Sequence, residues 1–276
     1  IQHVAKWILS VGDAVAVADI DNDGHMDIFL TNLLKSDDDR AVIYRNLGHM
    51  RFERLHVPAL DAFKYDYKTA GLPGCGTFVD YDGDGDEDLA IGVGWGQSRL
   101  LKNLLMETGE VGFEDISEQV GLTEYTVSLA MSFIDYDRDA KLDLLVSNAL
   151  SPWLVQYETP TKFNIFSLPE PEYEGDRRMF HFMHNGWHDA NNGGYNVLFK
   201  GDDDGYLEKV PTEQHTIDES RWSLAVTSSD YNQDGFTDFY IANDFGPDNL
   251  YLNEQGKTFQ TIKGRLFGDI GRDTYQ

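Results

Sequence analysis

One nine-residue pattern, Asp-x-Asp/Asn-x-Asp-Gly-x-x-Asp, occurs four times in the chain. The first copy holds Asp19, Asp21, Asp23, Gly24, His25 and Asp27, and the second holds Asp80, Asp82, Asp84, Gly85, Asp86 and Asp88. The third holds Asp135, Asp137, Asp139, Ala140, Lys141 and Asp143, and the fourth holds Asp230, Asn232, Asp234, Gly235, Phe236 and Asp238. Positions 1, 3, 5 and 9 bring three or four carboxylates around one point. The backbone carbonyl of position 7 (His25, Asp86, Lys141, Phe236) adds another oxygen. Hard oxygen donors select calcium or magnesium over softer metals, and a flexible loop offering six to eight ligands favours calcium. Glycine at position 6 permits the sharp turn that wraps the chain around an ion, with φ positive.

Two copies depart from this pattern. Loop three has Ala140 at position 6, where a positive φ costs an L-residue about 1–2 kcal/mol. Loop four has Asn232 in place of a carboxylate. Loops one and two are therefore expected to bind most tightly and loop three most weakly, with three to four structural calcium ions in all. Solvated turns are the alternative, since Asp and Gly are common turn formers, but four turns sharing five positions in one register argue against it. An EF-hand needs an acid at position 12 and flanking helices. Position 12 here is Leu30, Ile91, Val146 and Ile241.

Each loop must be positioned by short strands. Small and β-branched residues precede it (14–18, 76–79, 130–134, 225–229), and compact apolar runs follow it (28–30, 89–91, 144–146, 239–241). A second repeated element lies further on: Val42-Ile43-Tyr44-Arg45-Asn46, Leu100-Leu101-Lys102-Asn103, Val197-Leu198-Phe199-Lys200-Gly201 and Asn249-Leu250-Tyr251-Leu252-Asn253. Turns then lead to Phe52, Phe113, Leu207 and Phe259, so each unit reads as four strands ending in a hairpin. Loops starting at 19, 80, 135 and 230 give spacings of 61, 55 and 95 residues, the last enlarged by an insertion over 151–195. The whole of 1–276 reads as an all-β propeller or partial propeller of about four to five four-stranded blades, because radial repetition protects sheet edges. The same spacing places a further loop beyond Gln276, which marks the chain as a segment of a larger propeller unless its ends complete one another.

These loops and their trailing hairpins resemble FG-GAP/VCBS repeats, as in integrin α-subunit propellers and cartilage-acidic-protein-like bacterial proteins. The resemblance covers nearly the whole chain outside the insertion. It implies calcium held between two strands of each blade, by the aspartates named above and Asn232, and a role in adhesion, ligand binding or scaffolding in secreted proteins.

Composition agrees with a cation-binding protein. The 48 acidic and 22 basic residues give a formal charge of −26, which opposes binding to nucleic acid or an anionic membrane. No run approaches the ~20 apolar residues of a membrane span. The lone cysteine, Cys75, cannot form an intrachain disulfide and reads as a buried, inert thiol. The start, Ile-Gln-His-Val, reads as processed or cut. Asp37-Asp38-Asp39 and Asp202-Asp203-Asp204 read as solvated turns, and the tryptophans as core or interblade packing.

The insertion carries His181, His184 and His188 among aromatics. Its leading reading is a folded loop packed on a blade. A borderline metal such as zinc and a partner-binding surface are the competing ones. No Gly-x-Ser-x-Gly, His-Glu-x-x-His, phosphate-binding Gly-x-x-x-x-Gly-Lys or Cys-x-x-Cys-His occurs, so no enzyme is expected. The alternative is a carbohydrate-active lyase or dehydratase using the histidine-rich insertion. Loops that fill at millimolar calcium point to an extracellular, periplasmic or cell-surface location, with another protein or a glycan as partner.

Overall fold

In the computed structural model, residues 12–33, 36–154, 157–179, 193–244 and 246–262 are described. The histidines at 181, 184 and 188, with Trp7 and Trp187, lie outside the described residues. Eighteen strands form among the rest. The first unit holds β1 (Val15–Ala18), β2 (Asp27–Leu30), β3 (Val42–Asn46) and β4 (Phe52–Leu55). The second holds β5 (Leu72–Val79), β6 (Asp88–Gln97), β7 (Arg99–Asn103) and β8 (Phe113–Asp115). In the third, β9 (Tyr125–Ile134) and β10 (Asp143–Asn148) precede a small hairpin of β11 (Trp153–Leu154) and β12 (Thr161–Lys162). The unit then resumes with β13 (Val197–Gly201) and β14 (Leu207–Lys209). The fourth holds β15 (Ser223–Ser229), β16 (Asp238–Asn243), β17 (Asn249–Asn253) and β18 (Phe259–Ile262).

Within each unit the four main strands pair antiparallel in chain order. Each aspartate-rich loop joins the first strand of its unit to the second. β5 and β9 begin several residues earlier than the sequence pattern indicates. The reason is a shared edge: after a bulge near Gly94 and Gly96, β6 runs on to pair with β9, Gly94 opposite Val127 and Gln97 opposite Tyr125, which fuses units two and three into one sheet. Trp95 sits at that bulge with φ +59, a conformation that a bulky residue adopts only when its surroundings enforce it. Its fully buried indole packs with Leu33, Leu72, Val127, Leu150, Phe163 and Trp222, a cluster drawing on all four units.

Three further apolar layers lie between successive units. Phe29 and Ile43 meet Leu89, Ile91 and Leu101. Ala90 and Leu100 meet Leu144, Val146 and Phe199. Leu145 and Leu198 meet Phe239, Ile241 and Tyr251. Neighbouring residues of β6 and of β10 thus enter opposite layers, which is why the runs after the loops are uniformly apolar rather than alternating. The first strands converge, β1 lying against β5, β5 against β9 and β9 against β15. At that convergence a Cβ on Gly74 would stand 2.2 Å from the Ser128 carbonyl oxygen, so β5 and β9 approach only because Gly74 has none. Cys75 is buried nearby, and desolvation pushes its thiol up to about 12.

Candidate metal centres

The four loops share one backbone. Position 6 is left-handed in each, with φ +88 at Gly24, +97 at Gly85, +65 at Ala140 and +91 at Gly235. Position 4 is left-handed too, at Asn22, Gly83, Arg138 and Gln233, a feature no residue type in the pattern announces. Loop three therefore places two side-chain-bearing residues, neither of them Asn or Gly, at strained positions. Carboxylates hold the turns. Asp19 accepts from the Asp23 and Gly24 N–H groups, Asp135 from Asp139 and Ala140, and Asp230 from Asp234 and Gly235, all at 2.8–3.0 Å. The position-5 aspartates Asp23, Asp84, Asp139 and Asp234 each accept from the N–H of position 7.

Position 9 does something else. Asp27, Asp88, Asp143 and Asp238 are all buried, and in each one oxygen accepts from the N–H of loop position 2 and the other from the last residue of the third strand. For Asp88 these donors are Tyr81 (3.0 Å) and Asn103 (2.7 Å), and for Asp238 they are Tyr231 (2.8 Å) and Asn253 (2.7 Å). Asp27 takes Ile20 and Asn46, and Asp143 takes Tyr136 and Gly201. The residue expected only as a ligand is thus also a clamp between loop and hairpin. Burial pushes the Asp88 carboxyl up to about 7 and that of Asp143 up to about 6, against the opposing pull of these N–H groups.

Ligand oxygens of Asp19, Asp21 and Asp27 lie within 4.8 Å of one another, as do those of Asp80, Asp82 and Asp84 and those of Asp135, Asp137 and Asp143. Asp23, Asp88 and Asp139 stand outside these groups, and in loop four Asn232 leaves two aspartates and the clamp. Buried oxygens of Asp80, Asp84, Asp86 and Asp137 have no hydrogen-bond partner. Such oxygens are costly unless something positive meets them, so the donor set fits a hard divalent cation. The side chains of His25, Lys141 and Phe236 play no part in these groups; position 7 brings in a carboxylate only at Asp86.

A family model described as an FG-GAP-like repeat matches residues 19–91 and 80–146, a span containing the first three loops. Residues 19–146 therefore carry FG-GAP-like repeats. No curated protein matches the chain beyond that.

The repeats are stitched together through their hairpins. Asn103 donates across to the Ile20 carbonyl of the preceding loop (2.9 Å), and Asn253 likewise to Tyr136 (2.8 Å). Loop one touches loop two through Asn22 and the Gly85 carbonyl (3.1 Å), while the Arg138 guanidinium of loop three lies over the Phe236 ring of loop four. Loops one and two thus lie side by side, as do loops three and four. A basic residue one position before the hairpin asparagine or glycine reaches the loop's third position in repeats one to three: Arg45 to Asp21, Lys102 to Asp82 and Lys200 to Asp137. Repeat four has Leu252 there and Asn232 in the loop, so both charges disappear together. Arg45, Lys102 and Lys200 stood in register in the second repeated element, a signal that sequence reading passed over.

Proposed function

We propose that this chain forms part of a calcium-loaded β-propeller that works outside the cytoplasm as a protein- or glycan-binding scaffold. The observation that carries this reading is the recurrence of converging carboxylates in loops one to three, joined in loops two and three by buried oxygens without a hydrogen bond. Convergent first strands and apolar layers between successive sheets support a radial arrangement. Asp19, Asp21 and Asp27, Asp80, Asp82 and Asp84, and Asp135, Asp137 and Asp143 would hold the ions, with Asp230, Asn232, Asp234 and Asp238 supplying a less charged fourth set. Bound calcium would neutralise each loop and lock the turn between two strands. Loops of modest affinity fill where calcium is millimolar, which supports an extracytoplasmic setting.

A partner has a place to dock beside the enlarged third repeat. A cavity of about 460 Å³ is lined there by Tyr125, Trp153, Tyr157 and Tyr195, with Lys209 and Glu124 at its edge. Aromatic rings of which only Tyr157 is buried, with polar neighbours, suit a sugar face or a peptide side chain. Native mass spectrometry with and without a chelator tests the calcium reading. At least three calcium ions should be seen, leaving together with a drop in thermal stability, whereas a metal-free chain of unchanged stability would overturn it.

A further inference from the structure

We propose that repeat two holds a second calcium ion, between Asp84, Asp86 and Glu107, beside the one expected at Asp80, Asp82 and Asp84; this rests on the calcium reading above. Glu107 lies on the short helix Leu105–Thr108 that follows β7, and oxygens of Asp84, Asp86 and Glu107 stand within 4.8 Å of one another. The second observation is independent of that grouping. Asp86 is only 1% exposed, and while its Oδ2 accepts from the Met106 N–H (3.0 Å), its Oδ1 has no partner. Asp84 Oδ2 is buried without a hydrogen bond as well. Folding has thus drawn two carboxylate oxygens out of water toward a third acid, an arrangement that is costly unless a cation joins it.

Charge separates this repeat from the others. Loop one with Glu53 sets five acids against Arg45, and loop three with Asp203 sets five acids against Lys141 and Lys200. One divalent ion leaves these at minus two and minus one. Repeat two sets Asp80, Asp82, Asp84, Asp86, Glu87, Asp88 and Glu107 against Lys102 alone, so one ion leaves minus four and a second brings it to minus two. Lys102 sits between Asp82 and Glu107 and stands 3.6 Å from Asp84 Oδ2, so its ammonium compensates that oxygen in part but leaves Asp86 Oδ1 unmet. Asp84 would bridge the two ions, as carboxylates do in paired metal sites about 3.5–4 Å apart, since each oxygen keeps a second lone pair. The all-carboxylate donor set selects a hard cation of the calcium class.

The test is the calcium count of the full chain by native mass spectrometry in calcium buffer, comparing wild type with Glu107→Gln and with the double variant Asp86→Asn/Glu107→Gln. Glu107 is exposed, and asparagine at position 86 keeps an acceptor for the Met106 N–H, so both variants are expected to fold. Each should carry one ion fewer than wild type. An unchanged count overturns the second site and leaves the calcium reading standing. Loss of two ions would mean that the loop collapses as one unit, and it also overturns a separate site. A wild-type chain with no calcium removes both proposals together.

Discussion

Loops two and four are built on the same backbone and the same buried clamp, yet they differ in number of carboxylates more than any other pair. Around loop two seven carboxylates crowd a single lysine, and around loop four three carboxylates face Asn232 and Leu252 with no basic neighbour from the third strand. The shared parts are the left-handed positions 4 and 6 and the ninth aspartate, which accepts two backbone N–H groups in both. What the fold needs is therefore separable from what an ion needs. The clamp is structural in every repeat, whereas positions 3 and 7 and the third-strand residue set how much positive charge a loop can take up.

The largest expected effect falls on the shared part. Asp88→Ala and Asp238→Ala each strand two buried N–H groups at about 1–3 kcal/mol apiece, so each variant should lose about 3 kcal/mol or more in urea unfolding with calcium present. Near-equal losses would show that the clamp is indifferent to loop charge. A loss confined to Asp88 would make position 9 a ligand first and a clamp second.

Next in size are the ties between repeats. Asn103→Ala and Asn253→Ala each remove a buried amide that serves the loop of the preceding repeat as well as its own. Each should cost about 1–2 kcal/mol, and the same urea midpoints report it. Because both asparagines make the same pair of bonds, a large gap between the two variants would break the equivalence of repeats two and four.

The smallest effect sharpens the comparison of charge. Asn232→Asp adds a fourth carboxylate to loop four with no basic residue opposite, and should tighten calcium at that loop several-fold in calorimetric titration. Adding Leu252→Lys, which recreates the pairing of repeats one to three, should take most of that gain back. Equal affinity in all three proteins would mean that the third-strand residue does not reach the ion.

Much of this was legible in the sequence because it depends on residue type at fixed spacing. Asp19 to Asp27 and its three repeats named the loops, Gly24, Gly85 and Gly235 named their turns, and runs such as Leu89-Ala90-Ile91 named the strands between two apolar layers. The left-handed φ at Ala140 follows from register with those glycines. What stayed hidden depends on contacts across the chain. Nothing local marks Asp88 as an acceptor for Asn103, or Asn103 as a donor to Ile20, 83 residues away. Nor does Leu105–Thr108 announce that Glu107 returns to Asp84. The extension of β6 onto β9 was hidden for the same reason, since Gly94 and Val127 belong to two different repeats.

Anomalous X-ray scattering from crystals grown with calcium tests the central claim most directly, because it locates each ion against named side chains. The account predicts peaks in the loops beginning at Asp19 and Asp80, between the carboxylates that converge there, with loops three and four weaker or filled only at higher calcium. Loops without anomalous density at millimolar calcium, their aspartates turned to solvent around an intact set of sheets, would contradict it.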